Sequence, residues 1–249
     1  MIYIEYFERG VKYERMNIGK VRLDSSIPRI VAILHDQIPA GSLKSLQRKG
    51  ADIVEARIDL FHSIEIKSIV NSLKRIKNIA SLPIIGTIRR PEDGGRKSIS
   101  DRSCLEIFKA IIPVINCVDI EIDSPIIDEV VNLAKGRKKK VITSYHNFDQ
   151  TPSDKQLVKL LRKGKAKGGD IIKLAVMSRT EKDVTRLLAL TYQHKGDRII
   201  TISMGKKGQI TRIIAPFFGS LLTYGYIDSP VAPGQFSIGE LKKMMNRLS

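Results

Sequence analysis

A closed (β/α)8 barrel, the TIM-barrel architecture, is the fold class the sequence predicts, and three observations predict it. Short apolar runs rich in Ile and Val recur at spacings of roughly 25 to 35 residues, and they read as buried strands. Segments with helical periodicity lie between them. The first run, RIVAILHDQIP, leads into neither of the glycine-rich phosphate loops that an open doubly wound sheet would normally carry there. Strand followed by helix, about eight times, implies a parallel sheet with right-handed crossovers, and 249 residues is the usual size of its closed form.

In chain order the runs are RIVAIL (29–34), DIVEARI (52–58), PIIGTI (83–88), CVDIEI (117–122), KVITSY (140–145), DIIKLAV (170–176), RIITISM (198–204) and SLLTYGY (220–226). IKSIVNSLKRI, SPIIDEVVNLAK, DKQLVKLLRK and EKDVTRLLALTYQ read as helices after the second, fourth, fifth and sixth of these. Ser124 followed by Pro125, Ser153 before Asp154 and Thr180 before Glu181 are N-cap signals. The segment 1–27 does not fit the repeat: IYIEY and KVRLD are short alternating runs that read as a hairpin capping one barrel end. No linker or low-complexity stretch divides the chain, so residues 1–249 are expected to form one domain.

The composition, 42% hydrophobic and 28% charged, is that of a globular protein. No run approaches the ~18 apolar residues of a membrane span, and the charged N-terminus does not suit a signal peptide, so a soluble cytoplasmic protein is expected. Cys104 and Cys117 are read as small buried hydrophobes in a reducing compartment. The net charge of +17 suits a nucleic-acid binder or an enzyme acting on an anion. The basic runs GRKKK (136–140) and RKGKAKGG (162–169) are expected to be solvated connections between helix and strand. Neither interleaves aromatics on which bases could stack.

Charges within the strand runs carry the functional argument. Both faces of a barrel strand are buried, so such a charge must lie near a strand end or be paired, and active sites of these barrels lie at the C-terminal strand ends. Period two places Glu55 and Arg57 on one face as an expected ion pair. Thr87 and Arg89 share a face, as do Asp119, Glu121 and Asp123, and Ser144 and His146; Lys173 sits mid-strand. His35, His62, His146 and His194 show no metal-binding spacing, and a GxSxG elbow is absent. A lysine removed from water can become a neutral nucleophile that forms an imine with a ketone. A histidine one strand away could move protons, and arginines could hold a carboxylate. The chemistry reaches an imine-forming lyase, dehydratase or aldolase acting on an anionic ketone.

The pieces VEARID, TIRRPEDGGR, VDIEID, SYHNFDQTPS, IIKLAVM, ISMGKKGQITR, FFGSLLTYG and VAPGQFS, in that order, resemble the type I 3-dehydroquinate dehydratases of the shikimate pathway. The resemblance implies that Lys173 forms the imine at C3 of 3-dehydroquinate. It makes His146 the general acid/base that removes a C2 proton and assists departure of the C1 hydroxyl. Glu55, Arg57 and Arg89 would bind substrate hydroxyls and order the site, Arg212 would bind the carboxylate, and Gln235 would close over the substrate. Met204 would pack against the ring or the lysine, and Asp119 and Glu121 would balance charge around Lys173 and His146. Neither metal nor organic cofactor is implied, nor a nucleic-acid or membrane partner; a monofunctional homodimer is. Val231 and Ile33 stand where many relatives carry Ser, and Asp93 where relatives often carry Glu. The alternatives are a class I aldolase on the same barrel and a basic nucleic-acid-binding protein.

Overall fold

The computed structural model describes residues 16–24 and 27–248. Eight parallel strands run β3 (Ile30–Leu34), β4 (Ile53–Arg57), β5 (Ile84–Thr87), β6 (Cys117–Glu121), β7 (Lys140–Asn147), β8 (Ile171–Met177), β9 (Ile199–Met204) and β10 (Thr223–Gly225). Each of the expected runs supplies one of them. They pair in the order β10-β3-β4-β5-β6-β7-β8-β9. Between β9 and β10 the sheet is stitched by two bonds: Leu221 N–H donates to Ile199 O at 2.9 Å and Thr201 N–H to Ser220 Oγ at 3.1 Å. SLLTYGY yields a ladder three residues long, Thr223–Gly225, paired with β3.

The helices bury the faces their periodicity dictates. In α2 (Ile66–Ala80) the buried residues are Ile69, Leu73, Ile76 and Ala80, a stripe at alternating spacings of four and three. Helix α3 (Asp101–Ile111) follows β5. Helix α5 (Asp154–Ala166) starts on a capping box between Ser153 and Gln156, and α6 (Glu181–Gln193) on one between Thr180 and Asp183, as their N-cap signals predict. Ser124 does not cap its helix. Glu121 to Ile127 form turns, with Ile127 N–H donating to Ser124 O, and α4 (Ile127–Gly136) begins three residues later without a side-chain cap. The run RKGKAKGG is only partly a connection, because Arg162 to Ala166 form the last turn of α5, where basic residues oppose the negative helix end.

The hairpin exists with a different first strand. KVRLD supplies β2 (Val21–Leu23), whose antiparallel partner is β1 (Met16–Ile18), joined by a two-residue turn in which Gly19 adopts φ +56°. IYIEY lies outside the described residues. Met16, Ile18 and Leu23 belong to the same apolar cluster as Ile53, Cys117, Ile171 and Leu222 at the N-terminal strand ends. The hairpin therefore plugs the bottom of the barrel. Above it lies a second apolar level of Val31, Ile85, Ile142 and Ile200. Cys104 and Cys117 are both free and buried.

Candidate active site

Interiors of these barrels normally stack layers of four branched apolar side chains taken from alternate strands. The next level up breaks that rule, because β4, β6, β8 and β10 contribute Glu55, Asp119, Lys173 and Tyr224, all buried. Lys173 Nζ donates to Asp119 Oδ2 at 3.0 Å and lies 3.7 Å from Glu55 Oε1. Its third neighbour is the face of Tyr224, 4.3 Å from nitrogen to ring centroid. Burying such charges costs several kcal/mol per ion unless hydrogen bonds satisfy them. The intervening strands supply those bonds: Thr87 Oγ1 donates to Glu55 Oε1 at 2.8 Å and Ser144 Oγ to Asp119 Oδ1 at 2.7 Å.

Arg89 bridges this layer to the one above. Nη2 donates to Asp119 Oδ1 at 2.9 Å, while Nη1 donates to Ser144 Oγ at 2.9 Å and contacts Glu121 Oε1. Glu121 Oε1 also lies 2.7 Å from His146 Nδ1. An ionised carboxylate only accepts, so the imidazole proton sits on Nδ1 and Nε2 is left as a base. Burial and the cations Arg89 and Lys173 hold His146 well below the ordinary imidazole range. Glu121 is already committed to Arg89, so it orients the ring more than it charges it. Asp119 has the opposite balance: burial opposes its ionisation, yet Arg89, Lys173 and the hydrogen bond from Ser144 keep it well below the usual carboxylate range.

Glu55 and Arg57 do share a face, but they do not form the expected ion pair. The strand ends at Arg57 and turns into a 3-10 segment, Ile58–Leu60, which swings fully buried Asp59 back under the guanidinium. Arg57 Nε and Nη2 donate to its two carboxylate oxygens at 2.8 and 2.7 Å, and Asp59 also accepts the backbone N–H of Arg89 and of Arg96, each at 3.3 Å. Burial works against the Arg57 charge and Asp59 outweighs it, raising the guanidinium above its ordinary value. Asp123 also departs from its expected place. It lies past the end of β6, exposed, beside Lys163.

Arg212 enters from α8 (Thr211–Ile214), one of two short helical turns after β9. Its Nη2 donates to Pro233 O at 3.1 Å, its Nε has no partner, and no carboxylate pairs with it among the described residues. Burial lowers its pKa to about 10, which still leaves it charged at neutral pH. Gln235 Oε1 accepts the N–H groups of Val231 and Ala232 at 2.8 and 3.2 Å, folding that segment over the opening. Half-buried Asp93 stands opposite, its carboxyl raised by burial.

Lys173, His146, Glu55, Arg57, Arg89, Arg212 and Gln235 all line one cavity at the C-terminal strand ends, together with Met204, Ile33, Val231 and Asp93. Three contributors went unread. Asp59 continues the two-residue period of EAR, Tyr224 passes for an apolar strand residue, and Phe148, which stacks on His146 at 6.4 Å, lies just past a strand. No group of three or more His, Cys, Asp or Glu is placed to hold a metal ion among the described residues.

Fold and site together define a (β/α)8 barrel enzyme built around a buried lysine. The family model for type I 3-dehydroquinase matches residues 39–249, and the chain belongs to that family. A 3-dehydroquinate dehydratase of Thermodesulfovibrio yellowstonii is 42% identical over 217 residues, covering 87% of this chain and 93% of its own. One from Methanococcoides burtonii is 38% identical, covering 94% and 99%. Among solved structures, a type I 3-dehydroquinate dehydratase of Clostridium difficile with covalently modified comenic acid superposes with a TM-score of 0.87 at 32% identity, covering 95% of this chain and 98% of that one.

Proposed function

We propose that the chain is a 3-dehydroquinate dehydratase working through a covalent imine on Lys173. The observation that carries the reading is the facing of a buried amine, a base with its Nε2 unprotonated and an arginine without a carboxylate partner among the described residues onto one cavity. Arg212 takes the substrate carboxylate, and Arg57, Arg89 and Glu55 the hydroxyls and the order of the site; Gln235 holds the covering segment. Imine formation conserves charge: the ammonium of Lys173 and the C3 ketone become a protonated imine and one water. The cationic imine acidifies C2, His146 takes that proton, and an enamine forms. The C1 hydroxyl then leaves as water with a proton from His146, and hydrolysis releases 3-dehydroshikimate and free lysine.

Borohydride added during turnover should leave a reduced adduct that mass spectrometry maps to Lys173, while 3-dehydroquinate gives a conjugated product followed by absorbance. Lys173→Ala should lose both signals. His146→Ala should keep the adduct and lose about 10²- to 10⁴-fold in turnover. Label on another lysine, or carbon-carbon cleavage products, would overturn the reading.

Family membership supports three finer readings. The chain is one folding unit, since the hairpin shares the barrel's interior core. It works in the cytoplasm, consistent with two free buried cysteines and no helix, among the described residues, long and apolar enough to cross a membrane. It forms a homodimer, for which exposed Tyr192, Phe217 and Phe218 offer apolar surface; light scattering giving a monomer mass at assay concentration would remove that reading.

A further inference from the structure

Tyr224 is the member of the polar layer with no obvious task. It is 2% exposed, lines the cavity, and its hydroxyl has no hydrogen-bond partner among the described residues. Such a group costs stability, and a phenylalanine would avoid the cost. What its ring touches is the amine: Lys173 Nζ lies over the face at 4.3 Å from the centroid. Burial first, then the charges of Glu55 and Asp119, push the phenol well above its ordinary value, so the face belongs to a neutral ring.

We propose that Tyr224 is a positioning residue for the covalent chemistry, its ring face holding the Lys173 nitrogen in its cationic forms while offering nothing that can accept a proton. The inference rests on the imine reading above. Lys173 is surrounded by Asp119 from β6 and Glu55 from β4, with Arg89, Arg57 and His146 further out. The two carboxylates attract a cation but can also take its proton. A π-face attracts the cation alone. The nitrogen carries one positive charge as ammonium and again as protonated imine, and the protonated imine is the species that acidifies C2. A wall stabilising that species without deprotonating it raises its share during turnover. The strand register places Tyr224 opposite Val31 of β3, and its side chain is buried.

The test compares replacements at position 224 in the full chain, using 3-dehydroquinate and borohydride. Tyr224→Phe keeps the face and removes the unpartnered hydroxyl, so kcat, KM and trapped adduct should stay within about twofold of the parent. Tyr224→Leu should lower kcat and the adduct fraction by about tenfold, the scale of a desolvated cation–π contact, with a smaller change in KM. Because leucine could disturb packing, pentafluorophenylalanine at position 224 provides the second arm: it keeps the ring shape and reverses the polarity of the face. It should reproduce the leucine loss at an unchanged melting temperature. Equal activity in the Phe and pentafluoro proteins would overturn the proposal, as would a leucine effect confined to KM. If the parent forms no adduct at Lys173, the imine reading itself fails; a normal parent with an insensitive position 224 defeats only the role of Tyr224.

Discussion

His146 shows how one buried side chain of the site bears on the stability of the whole fold. The folded chain holds it neutral through burial and through Arg89 and Lys173, whereas an unfolded imidazole takes up a proton near its ordinary 6.5. Below that pH the unfolded chain binds a proton the native chain refuses. Stability therefore rises with pH in this window and falls as pH drops below about 6.5, with a slope approaching about 1.4 kcal/mol per unit from this group. His146→Gln should flatten that part of the curve in urea unfolding between pH 7.5 and 5.5. Identical slopes in both proteins would show that His146 is not held neutral. Residues with charges in the middle of apolar runs, such as Lys173 and Glu55, were legible from sequence because a two-residue period and burial leave a charge few places to go. Their partners were less so. Arg57 finds Asp59 only because the chain turns tightly after it, and nothing in VEARID marks where the strand stops. Tyr224 escaped notice because a buried tyrosine is usually a packing residue.

Among the elements, the loop from β5 to α3 lines the site with Arg89 at its start and Asp93 and Gly94 along it. Gly95 closes it by donating to Arg90 O at 2.7 Å, and a Cβ there would sit 1.9 Å from Arg89 O. Gly95→Ala must displace the Arg89 backbone, and misplacing a catalytic constellation by about 1 Å costs about 10²-fold in rate. We expect that loss in kcat/KM with unchanged far-UV circular dichroism; full activity would mean that the loop does not set Arg89. The strand order and helix faces were readable because both rest on strong periodicity. Helix starts were readable where a hydroxyl reaches the N3 amide, as at Ser153 and Thr180. Ser124 carries the same local signal and fails because the tight turns from Glu121 to Ile127 delay the helix.

At the scale of the molecule, 43 Lys and Arg against 26 Asp and Glu leave a net charge of +17, yet the layer around Lys173 is close to balanced. The excess therefore lies outside that layer, where it sets a field for anions and is screened by salt. For an anionic substrate, kcat/KM should fall by about three- to tenfold between about 20 mM and 500 mM NaCl, while kcat stays level; a flat kcat/KM would confine the charge to a solubility role. The hairpin plug under the strands gives the barrel a closed floor of apolar side chains. Ketone, dehydrated product and expelled water must then all share the mouth between Asp93 and the Val231 to Gln235 segment. The site is a cul-de-sac, and its traffic is ordered by geometry: each turnover has to empty through the passage by which the next one enters.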